Sequence, residues 1–306
     1  TQIGVAYKQL TDEFIFNPLF SKNNHTTKNM IAYAQQQRTL SAKLSIAYGA
    51  QSIFQQIASS DRGNHKNNTH AAFVSLSYQM SSKTTLNGSA RLEYNTNFGT
   101  TFNPQLGVAY RPNSHIVLRS NVGIANRAPD FTELYIATNL PSLSAGRNLG
   151  NPNLKAERST TADIGFDYYT PKEKIVSASI FARQGNQLID YIVTNADVIN
   201  TNVSLVAGED YFYTQNVSSA ISYGVELGLN KRFQLAKNHK LKLGLNYTFI
   251  KTETKNDEPS KYISNHPGHM ANFQLGYEAK YIDVVLSNNF RTRKQEDEVA
   301  VLGNIP

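Results

Sequence analysis

One segment of this chain alternates apolar and polar residues without interruption. Between residues 241 and 249 every odd-numbered residue is apolar, and every even-numbered residue is polar or glycine. Because successive side chains of a β-strand point to opposite faces, this segment predicts a strand with one apolar and one polar face. The pattern restarts repeatedly along the chain in runs of about ten residues, which is typical of a transmembrane β-barrel.

The alternation predicts about thirteen antiparallel strands. Most runs have a clear apolar face, and a weaker run surrounds Ile31 and Tyr33. The clear apolar faces fall within 3–7, 44–48, 72–78, 86–94, 106–110, 116–124, 164–168, 176–180, 223–229, 241–249, 273–277 and 282–290.

The predicted connections are of two lengths. Short turns containing Pro, Asn and Ser are expected at 81–84, 111–114, 170–174, 235–240 and 279–280. Long connections are expected at 9–29, 52–70, 130–159, 194–214 and 251–269. Short turns on one rim and long loops on the other are typical of the periplasmic and extracellular ends of an outer-membrane barrel.

Alternation alone does not distinguish a lipid-facing surface from the core of a soluble sandwich. The clear apolar faces contain no Lys, Arg, Asp or Glu, although charged residues make up 17% of the chain. Both a lipid-facing surface and a sandwich core would exclude charged side chains, so this absence does not decide between them. The polar faces favour a wide barrel, because they are rich in Gly, Ser, Asn and Gln with interspersed charges. We therefore expect these charges inside the lumen, paired with one another: Arg91, Arg119, Arg127, Asp163, Asp167 and Glu226.

Composition excludes several kinds of site. The chain has no cysteine, so it can form neither disulfides nor thiolate metal sites. Its net charge is +7 without a polybasic block, which indicates affinity for an anionic surface rather than for nucleic acid. The mean hydropathy is −0.42, and no apolar run approaches the roughly 20 residues of a membrane helix. A barrel needs no such run, since only every second residue meets lipid.

Two motifs flank one long connection. The first is NRAPDFTELY at 126–135 and the second is GNPNLKAERS at 150–159. The pair resembles a signature of TonB-dependent outer-membrane receptors, in which an arginine-proline strand end opens a long extracellular loop and a Gly-Asn-Pro-x-Leu-x-Pro-Glu stretch closes it. Ala156 stands where that pattern has proline. Pro129 and Pro152 also remove ladder donors where strands end.

The resemblance implies a plug domain inside a barrel of about 22 strands. Aligned by the two motifs, residues 1–306 would be the central part of that barrel, without the plug and the terminal strands. Thr1 sits directly before an alternating run, which fits a piece of a longer chain. The implied location is the outer membrane of a Gram-negative bacterium. The implied partners are membrane lipid, lipopolysaccharide and TonB, which would act through the missing plug region. The lumen charges would then also meet the plug.

A receptor of this kind would capture its small extracellular ligand with its long loops. Aromatic and cationic side chains would suit an anionic metal chelate by stacking and by charge. The other interpretation is that the tyrosines belong to an upper aromatic girdle and the lysines contact lipid headgroups. The candidate ligand-binding residues are Tyr135, Arg147, Tyr211, Phe212, Tyr213, Lys261 and Tyr262.

The sequence points to no catalytic residue, resident metal or cofactor. His266 and His269 have a helical metal-site spacing, but Pro267 and Gly268 disfavour a helix there. We expect active uptake of a scarce ligand, foremost a ferric siderophore, and no enzyme activity. The alternatives are a cobalamin receptor, a passive porin or adhesin barrel, and an outer-membrane hydrolase.

Overall fold

The chain forms a single antiparallel meander of β-strands. The structure is a computed structural model that describes residues 1–15, 22–171, 173–254 and 267–292. Its fourteen strands form one sheet in which, apart from β8, each strand pairs with the next along the chain. Within the described ranges β1 and β14 do not pair, so the sheet is open. The strands are β1 (Gln2–Phe14), β2 (Asn23–Ser41), β3 (Leu44–Ser59), β4 (Gly63–Gln79), β5 (Thr84–Asn95), β6 (Gly99–Tyr110), β7 (Ile116–Arg127), β8 (Asn148–Leu149), β9 (Glu157–Tyr169), β10 (Lys174–Asn195), β11 (Asp210–Ala236), β12 (His239–Thr254), β13 (His269–Glu278) and β14 (Asp283–Arg291).

The meander confirms the predicted β-barrel fold class and the approximate number of strands. It also places the predicted short turns on one rim, which we call the turn rim. The opposite rim, which we call the loop rim, carries the connections 60–62, 96–98, 128–156 and 196–209. The connection 128–156 contains a short helix, α1 (Phe131–Tyr135), and a 3₁₀ turn at Ala196–Val198 opens the connection 196–209.

One predicted long loop is wrong. Residues 52–70 are mostly strand, because β3 and β4 continue to a tight turn at 60–62. The predicted connections 9–29, 194–214 and 251–269 are likewise shorter than expected, since β1, β10 and β12 extend into them. Backbone hydrogen bonding does not require apolar side chains, so strands continue above the part of the sheet where the alternation is visible.

Within the part of the chain that the structure describes, the apolar face of the sheet is uncovered, which decides between the two interpretations of the alternation. Ile3 is 77% exposed, Ile164 is 60% exposed and Ile180 is 57% exposed. Ile164 and Ile180 are directly opposite each other on β9 and β10. A sandwich would bury such side chains in its core, whereas a membrane barrel presents them to lipid.

The weaker run around Ile31 and Tyr33 belongs to β2, and these two residues are not on its apolar face. Ile31 lies opposite Ala6 and Tyr33 lies opposite Gly4, on the polar face of the sheet. The ring of Tyr33 packs over Gly4, in the space that a Cβ at that glycine would occupy. The apolar face of β2 consists of Met30, Ala32 and Ala34, which lie opposite Tyr7, Val5 and Ile3. Because β2 has apolar residues on both faces, its alternation was ambiguous.

The buried apolar residues of the described chain lie mainly at the loop rim. A first cluster, which we call the loop core, joins the connections 128–156 and 196–209 and includes Leu143, Leu149, Val203 and Tyr211. A second cluster joins Leu134, Leu154 and Ile189. β8 also pairs in parallel with the start of β11, so the longer connection is part of the sheet. Among the described residues no helix is long and apolar enough to cross a membrane.

Candidate functional site at the loop rim

A single arginine links the two ends of the connection 128–156. Arg127, the last residue of β7, donates hydrogen bonds of 2.7 Å to both carboxylate oxygens of Glu157. It also donates bonds of 2.9 Å to both oxygens of Glu133 in α1. Two-point Arg–carboxylate contacts are strong and fix relative orientation. We call these three residues the arginine clamp.

The backbone extends the clamp to neighbouring elements. Glu133 accepts a hydrogen bond from the backbone N–H of Asp130, whose own side chain caps the start of α1. Glu157 accepts a 2.8 Å bond from the backbone N–H of Ile189 in β10. The two sequence motifs therefore join β7, α1, β9 and β10 into one unit, because each supplies one part of the clamp.

The clamp shifts the pKa of Arg127 and of Glu157, which lie at the loop rim beyond the apolar band. Burial alone would raise the pKa of Glu157. The hydrogen bonds from Arg127 and from the Ile189 N–H, together with the charge of Arg127, outweigh burial and lower that pKa. The hydrogen bond to Glu157 raises the pKa of Arg127, against the effect of burial. Arg127 and Glu157 are therefore charged at neutral pH.

The connection 128–156 also lies against the β3–β4 turn. The Tyr135 ring stacks on the His65 ring with centroids 3.4 Å apart, and burial raises the pKa of the Tyr135 hydroxyl. Asn139 attaches the connection to the same turn, since its side chain donates to the Ser60 carbonyl and its backbone N–H donates to the Asp61 carbonyl. The loop rim is thus a built surface, held at several points.

The structure separates the predicted ligand-binding residues. Tyr211 is only 1% exposed, and its hydroxyl donates to the Leu143 carbonyl and accepts from the Val206 N–H. It is a loop-core residue here and is not accessible to a ligand. Tyr213 packs against the same core, and burial raises the pKa of its hydroxyl.

The remaining candidates fall in two groups. Phe212 and Arg147 come together where β8 meets β11, since the Phe212 N–H donates to the Arg147 carbonyl. Tyr135, Arg147, Phe212 and Tyr213 are all partly exposed. Lys261 and Tyr262 lie outside the residues that the structure describes, as does His266. His269 contacts the Tyr247 hydroxyl at 2.8 Å.

The strand register places all six predicted lumen charges on the polar face. Arg119 lies 3.2 Å from Asp167 and 4.0 Å from Asp163 across β7 and β9. Arg91 pairs with Glu93 at 2.8 Å. Glu226 accepts a hydrogen bond from Ser179. Asp167 is also bound by Lys174 at 2.6 Å. Most of these charges therefore have partners within the wall itself.

Sequence reasoning missed a buried polar cluster at the ends of β2 and β3. His25 Nδ1 lies 2.8 Å from the Ser59 hydroxyl, and that hydroxyl donates to Asp61 at 2.6 Å. A serine nucleophile would direct its proton to the imidazole, whereas here the proton points to the carboxylate. The arrangement is therefore a hydrogen-bonded link between strands. No sequence signal marks it, because His25 and Ser59 are brought together only by the β2–β3 register.

Among the described residues no group of three or more His, Cys, Asp or Glu side chains could hold a metal ion. The loop rim instead offers partly exposed aromatic and cationic groups on a fixed scaffold. Such a surface can bind an anionic ligand by charge and stacking without covalent chemistry.

A family model of the TonB-dependent receptor-like β-barrel matches residues 2–298. The chain belongs to this family. Members are transport receptors of the Gram-negative outer membrane and are not enzymes. Membership confirms the resemblance inferred from the motifs of the arginine clamp, and it is consistent with an apolar face that meets lipid.

Solved structures of receptors from this family have the same fold at low sequence identity. The ferric enterobactin receptor PfeA of Pseudomonas aeruginosa superposes with a TM-score of 0.76 at 17% identity, covering 95% of this chain and 47% of the receptor. The siderophore receptor PirA of the same organism gives 0.66 at 15% identity, covering 90% and 49%. The FrpB iron transporter of Neisseria meningitidis gives 0.63 at 16% identity, covering 87% and 42%. The chain thus spans about half the length of these receptors, and comparison with curated protein sequences finds no match.

Proposed function

We propose that residues 1–306 form part of the barrel wall of an outer-membrane receptor that actively takes up a ferric siderophore. The family supplies the transport class, and the solved relatives include receptors for ferric enterobactin and other siderophores. The observation that carries the proposal is the built loop rim. The arginine clamp and the loop core hold Tyr135, Arg147, Phe212 and Tyr213 in fixed positions around its surface.

A fixed rim favours ligand capture, because side chains that are already ordered lose less entropy on binding. Ferric chelates of catecholate or hydroxamate type present aromatic or polar faces and often a net negative charge. Arg147 would supply charge, and the aromatic side chains would supply stacking. Lys261 and Tyr262 stay candidates on sequence grounds alone.

The proposal includes the partners of the whole receptor. The apolar face would contact outer-membrane lipid and lipopolysaccharide. TonB would deliver energy through the plug region of the whole receptor. No resident cofactor and no nucleic acid is part of the proposed function.

Uptake by the full-length gene product tests the proposal. It would be expressed in a Gram-negative strain that lacks its own siderophore receptors, and uptake of radioactive ferric chelates would be measured with and without TonB. We expect uptake of at least one ferric chelate that stops when TonB is deleted. Cobalamin uptake alone would support the alternative receptor, and solute flux that is independent of TonB would support a passive barrel.

Single substitutions then test the rim. Arg147→Ala should raise the dissociation constant of the transported chelate about tenfold, as expected for losing about 1.4 kcal/mol of binding energy. Arg111→Ala, at an exposed position on the turn rim, is the matched control and should leave binding unchanged. Equal binding by both variants would mean that Arg147 does not contribute to ligand binding.

A further inference from the structure

The wall of the sheet is split between β6 and β7 at the loop rim. These strands pair from Tyr110 and Leu118 only as far as Gln105 and Gly123, although both continue beyond that point. The next position on β6 is Pro104, which has no N–H to donate to a neighbouring strand. Above the split, Asn126 reaches across to Asn103 by a side-chain hydrogen bond.

A cavity of about 390 Å³ lies at this split. Its lining combines residues from both faces of the sheet, since Thr101 shares the polar face with Glu93, and Arg158 shares the apolar face with Asn126 and Asn186. The polar and charged lining residues are Asn97, Thr101, Asn126, Lys155, Arg158 and Gln187.

One side chain fixes two walls of this cavity. The Asn216 amide donates to the Lys155 carbonyl at 2.9 Å and to the Gln187 carbonyl at 2.7 Å, and its oxygen accepts from the Lys155 N–H at 2.8 Å. Gln187 has a positive φ of 55°, a conformation that non-glycine residues rarely adopt without support. The backbone around Lys155 and Gln187 is therefore set in place before any ligand binds.

The cavity contains two cations and an unsatisfied hydroxyl. Within the described part of the chain neither Lys155 nor Arg158 has an ion-pair partner, whereas Arg91, Arg119 and Arg127 on the polar face are all paired. The Thr101 hydroxyl is shielded from solvent and has no hydrogen-bond partner there. Two unpaired cations beside amide donors and a free hydroxyl form a site for an oxyanion such as phosphate.

The height of Arg158 on the wall indicates where that anion would come from. Arg158 and Tyr168 share the apolar face of β9 and are ten residues apart. At about 3.3 Å per residue and a tilt of about 40°, this spacing corresponds to about 25 Å across the membrane, the height of an outer-membrane apolar band. With Tyr168 beside the turn rim, Arg158 lies at the headgroup level of the other leaflet.

We propose that the cavity between β6 and β7 binds a phosphate group of an outer-leaflet glycolipid, held by Lys155 and Arg158. The proposal rests on the membrane orientation in the proposed function, but it does not depend on which ligand is transported. A lipid bound there would close the split that Pro104 leaves in the hydrogen-bonded wall.

The experiment compares two double variants of the full-length receptor, purified from outer membranes and delipidated. Lys155→Ala with Arg158→Ala removes the site. Lys28→Ala with Lys66→Ala is the matched control, because these lysines are exposed on the same face near the same rim, on either side of Gln56, and line no part of this cavity. Each protein is titrated with diphosphorylated lipid A, with dephosphorylated lipid A and with inorganic phosphate.

We expect the dissociation constant for diphosphorylated lipid A to rise about thirtyfold in the Lys155/Arg158 variant and to stay within about twofold in the control, since each cation near a lipid phosphate contributes about 1 kcal/mol. Equal losses in both variants would overturn the proposal, because the effect would then be general electrostatics. Tight binding of inorganic phosphate at the cavity, or unchanged affinity after removal of the lipid phosphates, would overturn it as well.

Uptake assays separate this proposal from the proposed function. The Lys155/Arg158 variant should transport the same ferric chelate at an unchanged rate per folded receptor, with folding checked by the shift in gel mobility on heating. If uptake falls while lipid binding is unchanged, the cations face the soluble ligand and the lipid site is wrong.

Discussion

The imidazole ring of His65 lies flat on the phenol ring of Tyr135, with an angle of 2° between their planes. His65 belongs to β4, whereas Tyr135 ends α1, so the stack ties the long connection 128–156 to the β3–β4 hairpin. It adds to the attachments that the arginine clamp and the loop core give to that connection.

The first prediction concerns this stack. His65→Ala should weaken the attachment of α1 by about 1 kcal/mol, as expected for losing an aromatic pair, and should speed hydrogen exchange at residues 131–140. His115→Ala, at the turn rim, is the control and should leave exchange there unchanged. Unchanged exchange in the His65 variant would mean that the stack contributes nothing to the order of the loop.

The second prediction concerns the arginine clamp. Arg127→Ala leaves Glu133 and Glu157 facing each other with side chains only 17% and 12% exposed, and should destabilise the connection by about 2–3 kcal/mol. Limited proteolysis between residues 131 and 154 measures this. Adding Glu133→Gln and Glu157→Gln should restore part of the resistance, because it removes the repulsion. A triple variant as sensitive as Arg127→Ala would rule out charge repulsion as the cause.

The third prediction concerns pH. The pKa of Glu157 is lowered from its ordinary value of 4.5, so its contribution to stability is fully present above pH 4.5 and is lost as the pH falls through the lower, folded-state value. Protease resistance of the connection should therefore be constant from neutral pH to about pH 5 and should fall below 4.5. Glu157→Gln should be less resistant at neutral pH and should show a smaller decrease on acidification. An identical decrease of protease resistance in both proteins would mean that titratable groups other than Glu157 cause it.

The fourth prediction concerns the buried hydroxyl of the loop core. Tyr211→Phe leaves the Leu143 carbonyl and the Val206 N–H without their partner, which should cost about 2 kcal/mol. Hydrogen exchange at residues 143–149 and 203–211 should increase together, because both connections share this core. Tyr281→Phe is the control, since Tyr281 is 85% exposed at the turn rim. An increase confined to one connection would contradict a shared core.

The fifth prediction tests the faces of the sheet. Ile164→Arg puts a cation on the apolar face near the middle of β9 and should cost about 2–4 kcal/mol in a bilayer. Thr161→Arg puts the same side chain on the opposite, polar face of the same strand. The yield of heat-resistant receptor in the outer membrane should fall for Ile164→Arg and stay near normal for Thr161→Arg. The reverse order would invert the face assignment.

The sequence by itself determined the strands that carry the apolar band. In β9 and β12 only one face contacts lipid, so the difference between the faces is recorded directly as alternation. The turn residues and the motifs at 126–135 and 150–159 likewise marked the strand ends and the family. These features depend on local chain chemistry, which a single sequence records.

Only the tertiary structure decided the arrangement above the band. There apolar and polar residues do not alternate regularly, so the β3–β4 hairpin continues through residues 52–70 without a pattern that reveals it. Residues far apart in the chain meet in the loop core around Tyr211, in the clamp between Arg127 and Glu157, and on the two sides of the split at Pro104. Such contacts arise from strand register and loop packing, and no spacing within the sequence specifies them.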